Sequence, residues 1–235
     1  MPTPIRVEIT PADHVTALVY AAAPRKRAGI GLLLAHGAGG NQMSPFMVEF
    51  ATGLAERGID AVTFNFVYSE QKRRLPDRND KLEACWRAVI AAARSEALGP
   101  EIASGALAIG GKSMGGRIAS QVAAADAEEV GGLVLLGYPL HPPGRPEQLR
   151  TRHLPAISVP MLIVQGERDA FGTPDELRPV LRKLKAKSEL YVVAGGDHSF
   201  KVPKSAGTPQ AEVHARVQHE IERWLRATVG ARRRS

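Results

Sequence analysis

The chain has a single cysteine, Cys85, in 235 residues. An internal disulfide is therefore excluded, which fits a reducing compartment. Aromatic residues make up only 5% of the sequence. The basic clusters at 25–27, 72–74, 182–187 and 232–234 have no aromatics interleaved with them. A nucleic-acid platform sets stacking side chains beside its cations, so the net charge of +7 reads as solvated surface charge and no nucleic-acid partner is expected. The longest apolar run, 30–35, is far below the roughly 20 residues of a membrane helix. The first thirty residues hold Glu8, Asp13 and a basic cluster, without the apolar core of a signal peptide. A cytoplasmic protein without a membrane partner is the expectation.

What is present is an alternation of short apolar runs and helical patterns. Residues 5–10 and 15–20 read as a β-hairpin turning at Pro11, Ala12 and Asp13. Strands are predicted at 30–36, 61–66, 106–110, 133–136, 161–165 and 190–193. Leu82, Cys85, Trp86 and Val89 form one helical face behind a capping-box pattern at Asp80 and Glu83. A last helix is expected to take Thr208 as N-cap and Pro209 as its first residue. Its buried stripe is Val213, Val217, Ile221, Trp224 and Leu225, with Gly230 and the arginine tail fraying beyond. Such alternation predicts an α/β fold with a mostly parallel central sheet flanked by helices. One domain over 1–235 is expected, with a loop or small cap at 139–155, where five prolines fall.

The chemistry centres on Gly111-Lys112-Ser113-Met114-Gly115, which matches the G-x-S-x-G nucleophile elbow. It stands between a strand-like and a helix-like segment, where a sharp turn exposes the serine hydroxyl and glycines keep neighbouring side chains out of its way. A phosphate loop is the competing reading of Gly111-Lys112-Ser113. It fails because position 106 is alanine, Gly105 is one residue out of register, and Leu107, Ala108 and Ile109 look like buried strand.

A serine nucleophile needs a base, and a histidine base needs an acid to hold its tautomer. His198 follows the last predicted strand on a glycine-rich loop, and Asp169 follows the strand at 161–165. The order Ser113, Asp169, His198 suits this fold; Glu167 and Asp197 are fallback acids. The loop at 36–40 after the strand at 30–36 supplies one oxyanion donor, the Ala38 amide, and the elbow supplies the other, the Met114 amide. His36 is expected to support that loop. Tyr138, Leu140 and Phe171 are candidate substrate-binding residues, and His141 and His153 candidate pocket-lining ones. No metal-ligand spacing appears, so neither a metal nor an organic cofactor is expected.

The motifs HGAGG at 36–40, GGKSMGGR at 110–117, LGYPLHPPG at 136–144, VQGERDAFG at 164–172 and GGDHSF at 195–200 resemble those of the α/β-hydrolase superfamily. Within it, the chain is similar to dienelactone-hydrolase-like bacterial proteins related to KANL-type and testis-expressed hydrolase-like proteins, over about residues 28–227. The resemblance implies the α/β-hydrolase fold and the triad Ser113, Asp169 and His198. Dienelactone hydrolase uses a cysteine where Ser113 stands, so lactone specificity is not carried over. The expected activity is that of a carboxylesterase or related acyl hydrolase acting on a small ester. Acyl transfer, or a scaffold role like that of relatives found in larger complexes, is the alternative. No exposed apolar helix face separates from the core-facing ones, and no oligomer is assigned.

Overall fold

Side chains alternate across a strand, and in this chain that alternation feeds two cores. A computed structural model describes residues 1–127 and 129–231; the tail from Arg232 to Arg234 lies outside them. Eight strands form one sheet in the order β1-β2-β4-β3-β5-β6-β7-β8. They are β1 (Thr3–Glu8), β2 (His14–Tyr20), β3 (Ile30–Ala35), β4 (Asp60–Phe64), β5 (Ala106–Lys112), β6 (Gly132–Leu136), β7 (Met161–Gly166) and β8 (Ser188–Val193). The β1–β2 hairpin is antiparallel, as is the β2–β4 pair, and every pairing from β4 to β8 is parallel.

The helices are α1 (Pro45–Glu56), α2 (Val67–Glu70), α3 (Asn79–Arg94), α4 (Pro100–Ala103), α5 (Met114–Ala125), α6 (Pro174–Leu181) and α7 (Gln210–Trp224). All six residues of β3 are buried, because helices cover both faces of a parallel sheet. Leu33, Val62, Ile109, Leu135 and Ile163 face one way, onto Cys85, Trp86 and Val89 of α3 and Ile118 of α5. Leu32, Leu34, Ala108, Val134 and Val164 face the other way, onto Phe50 of α1 and Val217, Ile221 and Trp224 of α7.

Element ends depart from expectation more than elements do. Helix α3 begins at Asn79 with Arg78 at the cap position and no side-chain cap. Asp80 thus sits inside the first turn, and Glu83 accepts from Asn79 Nδ2 at 2.6 Å instead of closing a box. The capping box that does form joins Thr173 and Glu176 at the start of α6. At α7, Pro209 keeps an extended ψ of 140° and stands at the cap, so the helix starts one residue later than predicted, with Thr208 outside. That helix continues past Trp224 as a π-helical turn, Leu225–Val229, with Val229 buried. The segment 139–155 has no helix longer than the 3₁₀ turn Leu154–Ala156.

Trp86 is completely buried, and its ring meets Phe64 edge-on at 4.7 Å. Trp86→Ala is expected to cost about 3–5 kcal/mol, measured as a drop in the urea midpoint with unchanged slope.

Candidate active site

The end of β5 must turn sharply into α5, and backbone rather than side chains crowds the turn. Gly111 has φ 149°, and a Cβ there would lie 2.2 Å from the Ala35 carbonyl oxygen. A Cβ on Gly115 would lie 2.3 Å from the same oxygen, so both flanks of the motif require glycine. Between them Ser113 holds φ 51°, ψ −114°, a conformation L-residues adopt only under constraint. Its N–H donates to Leu136 O at 2.9 Å.

The serine meets its expected partners. His198 Nε2 lies 2.8 Å from Ser113 Oγ, and His198 Nδ1 lies 2.7 Å from Asp169 Oδ2. A carboxylate only accepts, so Nδ1 carries the proton and Nε2 is free to accept from the serine. Asp169 is buried, and it also accepts from Gln165 Nε2 at 2.9 Å and the Phe171 N–H at 2.8 Å. Both fallback acids are committed elsewhere. Asp197 Oδ1 accepts from the Ser199 and Lys201 amides, and Glu167 accepts from the Gly195 amide. They shape the loop that displays His198.

Above Ser113 runs the 36–40 loop. A Cβ on Gly37 would be 3.5 Å from Ser113 Cβ, which sets this backbone directly beside the serine. Ala38 and Met114 both line a cavity of about 670 Å³ together with Ser113, Phe171 and His198. His36 is fully buried; its Nδ1 donates to Gly37 O at 2.8 Å and its Nε2 accepts the Phe66 N–H at 3.3 Å. Burial pushes its pKa down to about 4, so the ring is a neutral brace for the loop.

The structure brings Phe171 to the cavity, its ring 4.2 Å from that of His198, and keeps Tyr138 and Leu140 out of it. Tyr138 is buried, with its hydroxyl donating to Arg150 O at 2.7 Å. Leu140 is buried against Gly172, where a Cβ would meet it at 2.6 Å. His141 turns to Pro142 O and Glu176, and His153 to Ser120 Oγ at 2.7 Å; neither lines the cavity.

Three cationic residues at this cavity were not singled out in the sequence: Lys112, Arg117 and Arg150. Arg117 stands in the first turn of α5, four residues after Ser113, so its nearness in sequence to the elbow carried a signal for it. Arg150 sits in the proline-rich segment, where no periodicity applies. Lys112 Nζ donates to His198 O and lies 5.7 Å from the ring centroids of Phe46 and Phe200. Burial lowers its pKa to about 8, against the pull of Asp169 and Asp197. Among the described residues, no group of three or more His, Cys, Asp or Glu is placed to hold a metal ion. Among them too, no helix is long and apolar enough to cross a membrane.

Residues 28–226 match the model of a family described as alpha/beta hydrolase domain. Solved structures share the fold. A dienelactone hydrolase from Anabaena variabilis is 19% identical with a TM-score of 0.75, covering 97% of this chain and 98% of its own. An α/β serine hydrolase without a lid from Xanthomonas campestris is 21% identical, with a TM-score of 0.73 over 95% and 94% of the two chains. Est1E from Butyrivibrio proteoclasticus is 14% identical, with a TM-score of 0.71 over 93% and 96%.

His36 gives the site a pH signature. Its folded pKa of about 4 lies below the ~6.5 of an unfolded imidazole, so on acidification the unfolded chain binds the proton first. The stability this contributes is present above about pH 6.5 and is lost as pH falls toward 4, at up to ~1.4 kcal/mol per unit. His36→Gln is expected to flatten that part of the profile in urea titrations between pH 7 and 5. Equal slopes in the two proteins contradict the assignment.

Proposed function

Since the chain belongs to the alpha/beta hydrolase domain family, we propose that it is a serine hydrolase cleaving an ester or related acyl bond. Ser113 acts as nucleophile, His198 as base and Asp169 as the acid that orients it. The observation that carries this reading is the unbroken relay from Ser113 Oγ through His198 to Asp169, at 2.8 and 2.7 Å, opening onto a cavity. A scaffold that had abandoned catalysis has no need to keep that relay joined.

Ser113 Oγ attacks the carbonyl carbon as His198 Nε2 takes its proton. The carbonyl oxygen becomes an oxyanion, held by the N–H groups of Ala38 and Met114. Collapse breaks the bond to the leaving alcohol, which departs with the proton from His198 and leaves an acyl-serine. Water then attacks the acyl carbon, His198 accepting its proton, and the carboxylic acid is released as Ser113 regains its hydrogen. Asp169 stays ionised throughout and stabilises the imidazolium formed at each attack.

The segment at 139–155 builds no cap larger than a 3₁₀ turn, which supports a small ester as substrate. The five motifs support placement among the KANL-type and testis-expressed hydrolase-like proteins. One sheet with its two cores supports a single domain over 1–235. The buried, unpaired Cys85 supports the cytoplasm as its location.

The test is labelling with a fluorophosphonate probe alongside turnover of p-nitrophenyl esters. The wild-type protein is expected to label, Ser113→Ala to lose all labelling, and turnover to fall by at least about 10³-fold. A folded wild-type protein that does not label, or a variant that labels equally, overturns the assignment.

A further inference from the structure

Arg117, from α5, and Arg150, from the irregular segment 139–155, line one cavity with Ser113. Arg117 rises from the first turn of α5. Arg150 lies within the proline-rich stretch, where its own N–H donates to Leu140 O at 2.8 Å and its carbonyl accepts the Tyr138 hydroxyl at 2.7 Å. The backbone at Arg117 is tied as well: its carbonyl accepts from Ser120 Oγ at 2.7 Å, and that hydroxyl is held by His153 Nε2 at 2.7 Å. Both arginines are thus carried on fastened backbone, not on a loose loop.

Among the described residues, neither guanidinium has a hydrogen-bond or ion-pair partner, whereas Arg73 pairs with Asp77, Arg87 with Glu83, and Arg226 with Glu222. The nearby carboxylates are already occupied. Asp77 lines the same cavity but accepts from Arg73 at 2.6 Å and from the Tyr68 amide at 2.9 Å. Glu83 accepts from Asn79 at 2.6 Å and from Arg87 at 3.2 Å. Lys112, the third cation, spends its ammonium on the His198 carbonyl. Burial, and then the charge of Arg150, push the Arg117 pKa down against the smaller pull of Tyr138 and Glu83, so the two guanidiniums feel one another. An arginine cannot relieve such repulsion by losing its proton at any ordinary pH. An anion between them can.

We propose that Arg117 and Arg150 form a receiving site for an oxyanion, a carboxylate or a phosphate, borne by the ester substrate away from its scissile bond. Each planar guanidinium presents paired donors that match the two oxygens of such a group. The site turns a general acyl hydrolase into one selective for anionic esters. This rests on the reading of Ser113 as the nucleophile.

The test compares kcat/KM for p-nitrophenyl hemisuccinate and p-nitrophenyl butyrate, which share leaving group and acyl length and differ by the terminal carboxylate. Wild type is expected to favour the hemisuccinate by about tenfold or more, the scale of one charge-assisted hydrogen bond. Arg117→Gln and Arg150→Gln should each bring the ratio toward one. Reading the ratio within each protein removes any general loss of activity, and either variant suffices if the other does not fold. A wild-type ratio of one or below, or a ratio unmoved by both substitutions, overturns the proposal.

A second arm does not need turnover. Folded Ser113→Ala protein is melted with succinate or with inorganic phosphate. A saturable rise in Tm that vanishes on adding Arg150→Gln supports the site, and the stabilising anion tells carboxylate from phosphate. Should fluorophosphonate labelling fail while this anion effect holds, the hydrolase reading falls and the anion site stands. Should labelling succeed with an indifferent ester ratio, the anion site falls alone.

Discussion

The carbonyl oxygen of Ala35 is approached by two stretches of backbone that only glycine permits. Gly111 and Gly115 both pass so near it that a single methyl on either would stand 2.2 or 2.3 Å away. That crowding joins the last residue of β3 to the elbow after β5, and those are adjacent parallel strands. Because the two strand ends are clamped there, the chain leaving β3 passes directly over Ser113, and the helix leaving the elbow starts with the Met114 amide. The strained φ of Ser113 follows from the same packing, since the turn has to complete itself in one residue between two immovable neighbours.

The rest of the relay is held by groups whose polarity is fully used. A buried carboxylate is costly unless donors surround it, and Asp169 has three: Gln165 Nε2, the Phe171 amide and His198 Nδ1. Gln165 also accepts the Tyr138 N–H at 2.8 Å and donates to Gly172 O at 2.7 Å. One amide side chain at the end of β7 therefore ties the acid loop to the start of the proline-rich segment. Lys112 does the corresponding work beneath the base, gripping the carbonyl of His198 from under two aromatic rings. The orientation of His198 is set through both its ring and its backbone.

Much of this was legible in the sequence because local rules govern it. Continuous apolar runs marked the buried parallel strands, and i, i+3, i+4, i+7 spacing marked Leu82, Cys85, Trp86 and Val89 on α3. Ser113, Asp169 and His198 were readable because each follows a strand, and strand ends in a parallel sheet share an edge. The helix starts were less legible: Asp80 and Thr208 have the right chemistry for caps, but the neighbouring packing decides where the first turn begins. Tyr138 and Leu140 lie next to the site in sequence, yet Gln165 and Gly172 draw them into the core. Arg150 was invisible, since a residue in an irregular segment is held at the cavity by non-local hydrogen bonds, here one accepted from the Tyr138 hydroxyl and one donated to Leu140 O.

The lone cysteine has a practical consequence. Cys85 is fully buried in the face of α3, and burial raises its thiol pKa to about 12. Reactive thiolate is scarce at such a value, so the folded chain is chemically silent toward maleimides and iodoacetamides. A cysteine introduced at an exposed position such as Met43 becomes a unique attachment point for a fluorophore or spin label. The same silence means that thiol–disulfide exchange has no accessible thiol on this chain through which to act.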